Sequence, residues 1–364
     1  MTIKILHYLR NLDLGGTAKT CQLFFEHATK EDFEVCLVYE KTGDQIRLEE
    51  FVKGSSVCRG NLYEINSYTQ SRFDARPLQT IIDEHQIDIL HVYRSGYSEP
   101  PDPGIDVNVS HFIETNVFGF IDLNDKIDRT LFMSKWLMNH AVRNLNHPRF
   151  DFVNNPVEMP SSSQTLLIRE QWGKNVIVLG RVGRPDNGIY NAVHVEAARL
   201  LRMQGYDVRF LVVAPPSNMI HDLAKYDIPF HMIEPTTNPL LLSMAYNSMD
   251  IYAHARADGE TFGVNIAEAM IHGLPVVTHI ATPSFYGMGV FQSQTELVDN
   301  GKNGFVVQND PASYAHALQV IIDNPELRDK FKDHSFKKAM DQYHVIPCMK
   351  KLENIYRGVV NESH

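Results

Sequence analysis

Between positions 259 and 270 the chain reads Gly259-Glu260-Thr261-Phe262-Gly263-Val264-Asn265-Ile266-Ala267-Glu268-Ala269-Met270, a glycine-bearing loop that runs straight into an apolar helix. Gly273-Leu274-Pro275-Val276-Val277 then ends the helix and opens a strand. The first amides of a helix have no intrahelical acceptor, and the helix dipole favours negative charge at that end. The amides from Phe262 to Asn265 therefore converge on a spot suited to a diphosphate, and no metal is then obligatory. Glu260 lies in the loop and Glu268 in the first turns of the helix, so both can reach around one bound group. An ionised carboxylate only accepts hydrogen bonds, which suits the hydroxyl pairs of a ribose or a sugar.

Acidic residues near a helix start can also do no more than complement the dipole, at about 0.3–1 kcal/mol each. A glycosidase acid and base are another use of two carboxylates, but those flank a scissile bond in a cleft. Glu260 and Glu268 share one loop and helix, and are read as ligands of a donor substrate.

Strands must hold such a loop at their carboxyl ends. Ile3 to Leu9 is an apolar run fit for a buried strand, followed by a turn at Asp13-Leu14-Gly15-Gly16 and a helical pattern through Ala18, Cys21, Phe24 and Phe25. Phe33 to Tyr39, helical Leu78 to His85, Ile87 to Tyr93 and Val107 to Thr115 continue the alternation. The pattern breaks near Asn154-Asn155-Pro156 and Pro160-Ser161-Ser162-Ser163, where the boundary between two halves is expected. It restarts with strand Val176 to Leu179, helix Ala192 to Gln204, strand Val208 to Val213, helix Pro239 to Asn247 and strand Ile251 to His254. Helix Asn265 to His272 and strand Val276 to His279 complete it. Alternating strands and helices imply parallel sheets covered on both faces, an α/β class. Two doubly wound halves with ligands at the strand carboxyl ends predict an active site in a cleft between them.

The E-x7-E pattern of Glu260 and Glu268 inside GETFG…EAM…GLPVV resembles the retaining GT-B glycosyltransferases of family 4. Glu296-Leu297-Val298-Asp299-Asn300-Gly301-Lys302-Asn303-Gly304-Phe305-Val306-Val307 is similar to that family's segment before its next helix. Gly180-Arg181-Val182-Gly183-Arg184 resembles its phosphate-binding arginine turn, and Gly15-Gly16-Thr17 its glycine loop. The resemblance implies two Rossmann-like domains facing across a central cleft. Residues 1–156 would form the acceptor side and 157–346 the nucleotide-sugar donor domain, with a helix over 347–362 crossing back onto the first domain.

It further implies a metal-independent enzyme that moves a sugar from a UDP-sugar or GDP-sugar to a hydroxyl acceptor with retention, and no cofactor. Glu268 would hold the nucleotide ribose and Glu260 the donor sugar, with the amides of Phe262, Gly263 and Val264 near sugar and phosphate. Arg181 would neutralise the departing diphosphate. The family's Lys after the arginine has no counterpart in Pro185-Asp186-Asn187-Gly188, which leaves Arg184 as its substitute or the enzyme weak. The family's His facing the donor sugar is matched best by Asn116, while His111 falls inside its strand run. Backbone groups at Ile233 would read the base, or end a strand and no more. An epimerase or phosphorylase on a similar frame is a second enzyme reading, and an inactive sugar-nucleotide-binding partner subunit a third.

A net charge of −10 works against broad nucleic-acid contact, so the expected partners are a nucleotide sugar and a glycan, lipid-linked or small-molecule acceptor. Seventeen histidines show no metal-ligand spacing, and no metal site is expected. Gly15-Gly16 lacks the G-x-G-x-x-G spacing of nicotinamide binding, and Lys19 beyond it reads as a solvated lysine. Cys21, Cys36, Cys58 and Cys348 form no CxxC pair, so structural thiols in a reducing compartment, the cytoplasm, are expected. The opening MTIKILHYLRNLDLGG turns polar too soon for a signal peptide or a membrane span. Asp128 to Leu145, with Trp136 and Arg143, reads as a packed helix or as an amphipathic patch giving at most peripheral membrane association.

Overall fold

Two parallel sheets organise the chain, and the computed structural model describes residues 2–13, 15–29, 31–40, 47–58, 61–69, 72–94, 106–143, 145, 147–283 and 290–362. They belong to two units, one of residues 1–156 with 345–364 and the other of residues 157–344.

The first unit contains β1 (Ile3–Leu9), α1 (Gly16–His27), β2 (Phe33–Glu40), α2 (Leu48–Cys58), β3 (Leu62–Ile65) and a short antiparallel pair, β4 (Tyr68–Thr69) with β5 (Arg72–Phe73). It continues with α3 (Arg76–His85), β6 (Ile89–Arg94), β7 (His111–Asn116), β8 (Arg129–Phe132), α4 (Lys135–Val142) and β9 (Phe150–Phe152). The sheet runs β3-β2-β1-β6-β7-β8-β9 with every pair parallel, so strand order turns back between β1 and β6. One face packs against Phe24 and Phe25 of α1, the other against Leu78, Ile81 and Ile82 of α3.

A last helix, α13 (Val345–Glu362), adds Met349, Leu352, Tyr356 and Val359 to the α1 side of that core. It begins two residues before the expected 347, because Pro347 is tolerated in a first turn whose amides need no intrahelical acceptor. Lys351 pairs with Asp151 at 2.9 Å, and the Thr29 amide donates to Glu353 at 2.8 Å.

A polar island lies within this core. His7 Nδ1 is 3.1 Å from the Tyr93 hydroxyl, and His91 meets Tyr356 at 2.6 Å through Nδ1 and Thr115 at 2.8 Å through Nε2. Burial pushes His7 down to about 3 and His91 well below its usual value, with His7 contributing to the latter. Cys21, Cys36 and Cys348 are buried and not joined in a disulfide.

The second unit contains α5 (Leu167–Trp172), β10 (Ile177–Val182), α6 (Val193–Met203), β11 (Val208–Val213), α7 (Ser217–Lys225), β12 (Phe230–Ile233), α8 (Pro239–Asn247) and β13 (Ile251–Ala253). Then come α9 (Val264–Ile271), β14 (Val276–His279), α10 (Gln294–Leu297), β15 (Gly304–Val307), α11 (Pro311–Asp323) and α12 (Pro325–Gln342). Its sheet runs β12-β11-β10-β13-β14-β15, again all parallel, and turns back between β10 and β13. Val208–Val213 reads as an almost unbroken apolar run because both faces are covered.

Two expectations about elements are corrected. Val107 to Thr115 becomes a strand only from His111, where pairing with β6 starts. Asp128 to Leu145 is not one helix: Thr130-Leu131-Phe132 pair between β7 and β9, and Ser134 then caps α4 by accepting the Leu137 amide at 3.0 Å. Among the described residues no helix is long and apolar enough to cross a membrane.

Candidate functional site

The point where strand order reverses in a doubly wound sheet leaves a crevice at the carboxyl ends of the flanking strands. In the second unit those strands are β10 and β13. Arg181, one residue before the end of β10, is buried and points its guanidinium back over the turn, donating to the Ala214 carbonyl at 3.1 Å and the Arg184 carbonyl at 3.3 Å. Gly183 makes room for it, since a Cβ there would sit 2.9 Å from Arg181 Nη2. Burial pushes Arg181 down from its usual value while Tyr252 and Glu260 pull the other way, and a guanidinium stays charged near neutrality. The Tyr252 hydroxyl of β13 donates to the Val182 carbonyl at 3.0 Å and so ties the two flanking strands together.

Beyond β13 the chain makes the loop that the sequence singled out. His254 Nε2 lies 3.2 Å from Glu260 Oε1, and its Nδ1 lies 2.8 Å from the Thr278 hydroxyl. Arg256 Nη1 donates to Glu260 Oε2 at 3.2 Å, while its Nε and Nη2 grip Asp258 at 2.7 and 3.3 Å. Glu260 itself is 9% exposed. Burial drives its carboxyl upward, but Arg256, His254 and Arg184 together bring it below the usual carboxylate value, so it is ionised. Since a carboxylate only accepts, the His254 nitrogen facing it carries the proton.

Gly259 and Gly263 set the path of this loop, with φ of 74° and 102°, values that a side chain would strain. A Cβ on Gly259 would stand 1.8 Å from the Phe291 carbonyl oxygen. The Glu260 amide donates to Gln294 at 3.0 Å and the Ser293 amide to the Glu260 carbonyl at 3.0 Å, lacing the loop to the start of α10.

Gly263 is the N-cap of α9, and the first intrahelical bonds start at Ile266 and Ala267, both donating to its carbonyl. The amides of Val264 and Asn265 precede those bonds and form the open end of the helix. Asn265 Nδ2 donates to the Val182 carbonyl at 2.9 Å, fixing that end against β10. Glu268, one turn further on, accepts from the Tyr246 hydroxyl at 2.8 Å. Two carboxylates, a helix start and a buried arginine thus occupy the carboxyl edge of one sheet.

Of the other expected site residues, Phe262 is buried edge-on against Tyr343 with ring centroids 5.5 Å apart, so only its backbone belongs to the loop surface. Arg184 is exposed, and its positive charge reaches Glu260. Ile233 ends β12 and its carbonyl accepts the Ala214 amide at 2.9 Å. Gly15, Gly16 and Asn116 lie in the first unit. Gly15 caps α1, its amide donating to Asp13 at 2.7 Å, and Gly16 opens the helix. Asn116 ends β7, fully buried, donating to the Phe120 carbonyl at 2.8 Å and accepting the Gly119 amide at 2.6 Å, so its amide already closes the turn that follows.

His254, Arg256, Asp258 and Tyr246 were not expected. A polar residue at the carboxyl end of a strand beside the loop was the available signal for His254, and alternate charges at 256, 258 and 260 for the arginine. Tyr246 lies 22 residues from its partner, and nothing local announces it.

Residues 173–324 match the model of the family described as glycosyl transferases group 1. No curated protein matches this chain in sequence. Among solved structures, a glycosyltransferase from Rickettsia africae ESF-5 is similar over 99% of both chains, with a TM-score of 0.76 at 16% identity. Anabaena HepE in complex with UDP-glucose is similar over 98% of this chain and 100% of that one, with a TM-score of 0.74 at 14% identity. A TarM variant from S. aureus in complex with fondaparinux, alpha-GlcNAc-glycerol and UDP gives 0.69 at 11% identity, over 98% of this chain and 100% of that one.

Proposed function

We propose that this chain, which has the GT-B fold, is a glycosyltransferase that transfers a sugar from a nucleoside-diphosphate sugar to a hydroxyl acceptor, with retention at the anomeric carbon and without a metal ion, as a member of family 4. The observation that carries this reading is the placement of Glu260 and Glu268 on either side of the open start of α9, with Arg181 buried at the end of the adjoining strand. The second unit is the donor domain in this reading. UDP is the nucleotide of choice, because the HepE and TarM complexes to which the fold is similar contain it.

In the reaction the bond between the anomeric carbon and the diphosphate oxygen breaks, and a bond to the acceptor oxygen forms on the same face. The acceptor's hydroxyl proton passes to the leaving phosphate oxygen, and the nucleoside diphosphate departs. Negative charge grows on the phosphate as this happens, so positive groups and helix amides already aimed there stabilise the transition state. Arg181, Arg184 and the amides of Val264 and Asn265 fill that role. Glu268 accepts from the ribose hydroxyls and Glu260 from the sugar.

Titration of UDP, GDP, ADP and their glucose conjugates into wild type and Glu268→Ala, with Mg²⁺ and with EDTA, tests the reading. One nucleotide series that binds wild type equally in EDTA and is lost in the variant supports it. Proton NMR of the product's anomeric signal then reads the stereochemistry, and an inverted product removes retention. Binding that needs Mg²⁺ removes the metal-independent mechanism, while binding with no transfer to any acceptor favours a sugar-nucleotide-binding partner subunit.

A further inference from the structure

The carboxylate of Glu260 is held from two directions. His254 takes one oxygen from the end of β13, backed by Thr278 of β14, and Arg256 takes the other. The guanidinium plane of Arg256 is itself fixed, because Asp258 accepts from both Nε and Nη2. Its backbone is fixed as well, the Arg256 amide lying 3.3 Å from His279 Nε2. A guanidinium is a rigid planar fork, so fixing its plane fixes where the third nitrogen points. With His254 on Oε1 and Arg256 on Oε2, the orientation of the carboxylate, and so of the lone pairs left for other donors, depends on these two partners.

We propose that Arg256 is a positioning residue for donor-sugar recognition: held by Asp258, it sets the direction in which Glu260 accepts hydrogen bonds from the sugar of a nucleoside-diphosphate donor. This rests on the donor-site reading above. Arg256 is one-fifth exposed, against 4% for His254, so it borders the accessible side of the cluster. The charged and titratable groups around Glu260 are Tyr252 from β13 and His254 just after it, Arg181 and Arg184 from β10 and its turn, and Arg256 with Asp258 from the loop. Arg256 is the largest opponent of burial in keeping Glu260 ionised. Charge and direction are therefore separable: lysine keeps the charge and loses the fork, while glutamine loses both.

The test uses the full chain with UDP and UDP-glucose as probes. Arg256→Lys is expected to bind UDP as wild type does and UDP-glucose about 10-fold more weakly, with kcat falling by a similar factor, as misplacement of a substrate-positioning group produces. The acid limb of its kcat/KM profile stays in place. In Arg256→Gln the same sugar-specific loss is joined by a displacement of that limb to higher pH, because only His254 and Arg184 then oppose the upward push of burial on Glu260. Asp258→Asn, which keeps Arg256 and loosens its plane, reproduces the Arg256→Lys phenotype and serves where Arg256→Gln fails to fold. Equal weakening of UDP and UDP-glucose in the folded variants marks a structural role and overturns the proposal, as does wild-type behaviour of Arg256→Lys. Wild type that binds UDP but not UDP-glucose overturns the donor reading first, and this role for Arg256 with it.

Discussion

Tyr246 of α8 aims the carboxylate of Glu268 on α9, its hydroxyl donating to Glu268 Oε2 at 2.8 Å and lying 3.3 Å from the Asn265 carbonyl. The tyrosine is buried and stacks on His272 at 4.8 Å, and burial raises its pKa well above the usual value, so it remains a donor. Glu268 is thus pointed by a different helix from the one that bears it. Tyr246→Phe keeps the ring and removes the aim. A hydrogen bond to a charged group contributes about 1.5–3 kcal/mol, and competing water recovers part of it. We expect UDP affinity to fall about 10-fold, read by calorimetry, and unchanged affinity would detach Tyr246 from ligand binding.

The loop geometry is testable through Gly259. Alanine there combines a φ of 74° with a Cβ 1.8 Å from a backbone oxygen. Backbone strain of this kind costs about 1–3 kcal/mol, and the clash adds to it because Phe291 O belongs to the main chain. Gly259→Ala should lower the thermal midpoint and abolish sugar-nucleotide binding together. A variant with wild-type melting and binding would show that the loop path tolerates a side chain.

Stability should fall in mild acid. His7 in the first unit is held down to about 3 and His279 in the second to about 4 by burial, against 6.5 in the unfolded chain. Between those values the unfolded state binds more protons than the native state, so stability present above pH 6.5 is lost as the pH drops. Each histidine contributes a slope of roughly 1.4 kcal/mol per pH unit in that window. Urea unfolding at pH 7.5 and pH 5 should separate clearly, and His7→Gln should flatten the dependence. An unchanged slope in that variant would mean that His7 is protonated in the native protein.

Arg94 and Glu114 form an ion pair at 2.6 Å with 6% and 0% of their side chains exposed. Thr130 donates to the other oxygen of Glu114 at 2.7 Å, and Asp122 takes a second nitrogen of Arg94 at 3.0 Å. Burial nevertheless raises Glu114 above its usual value. Breaking a buried pair by removing one partner typically costs about 3–5 kcal/mol, whereas replacing both with apolar groups costs far less. Arg94→Met should therefore destabilise more than Arg94→Met with Glu114→Leu, as measured by chemical denaturation. The reverse order would place the energy in packing.

Apolar runs announced most of the second unit because its strands are buried on both faces: Val208–Val213 and Val276–His279 were readable to the residue. Short edge strands were not, since β3, β9 and β12 are three or four residues long and carry little pattern. The candidate site could be proposed from sequence where one segment carries it, as with Glu260, Gly263 and Glu268. It was opaque where the partner comes from elsewhere, as with Tyr246 or Gln294. Asn116 shows what sequence leaves out: its end-of-strand position is readable, while the hydrogen bonds of its amide to the following turn are not.

Residues 345–362 complete the core of the first unit after the whole of the second has intervened. A ribosome makes the two sheets in order, yet the α1 face of the earlier one lacks Met349, Leu352, Tyr356 and Val359 until some 190 further residues have emerged, from 157 to 344. The later unit has no such debt and can mature first. Val157 and His344 are bridged to each other, so the chain leaves and re-enters at neighbouring points of that unit. During synthesis the α1 face of the first sheet therefore stays uncovered by this helix until the end, and a stop codon ahead of position 345 would spoil the end of the protein made earliest.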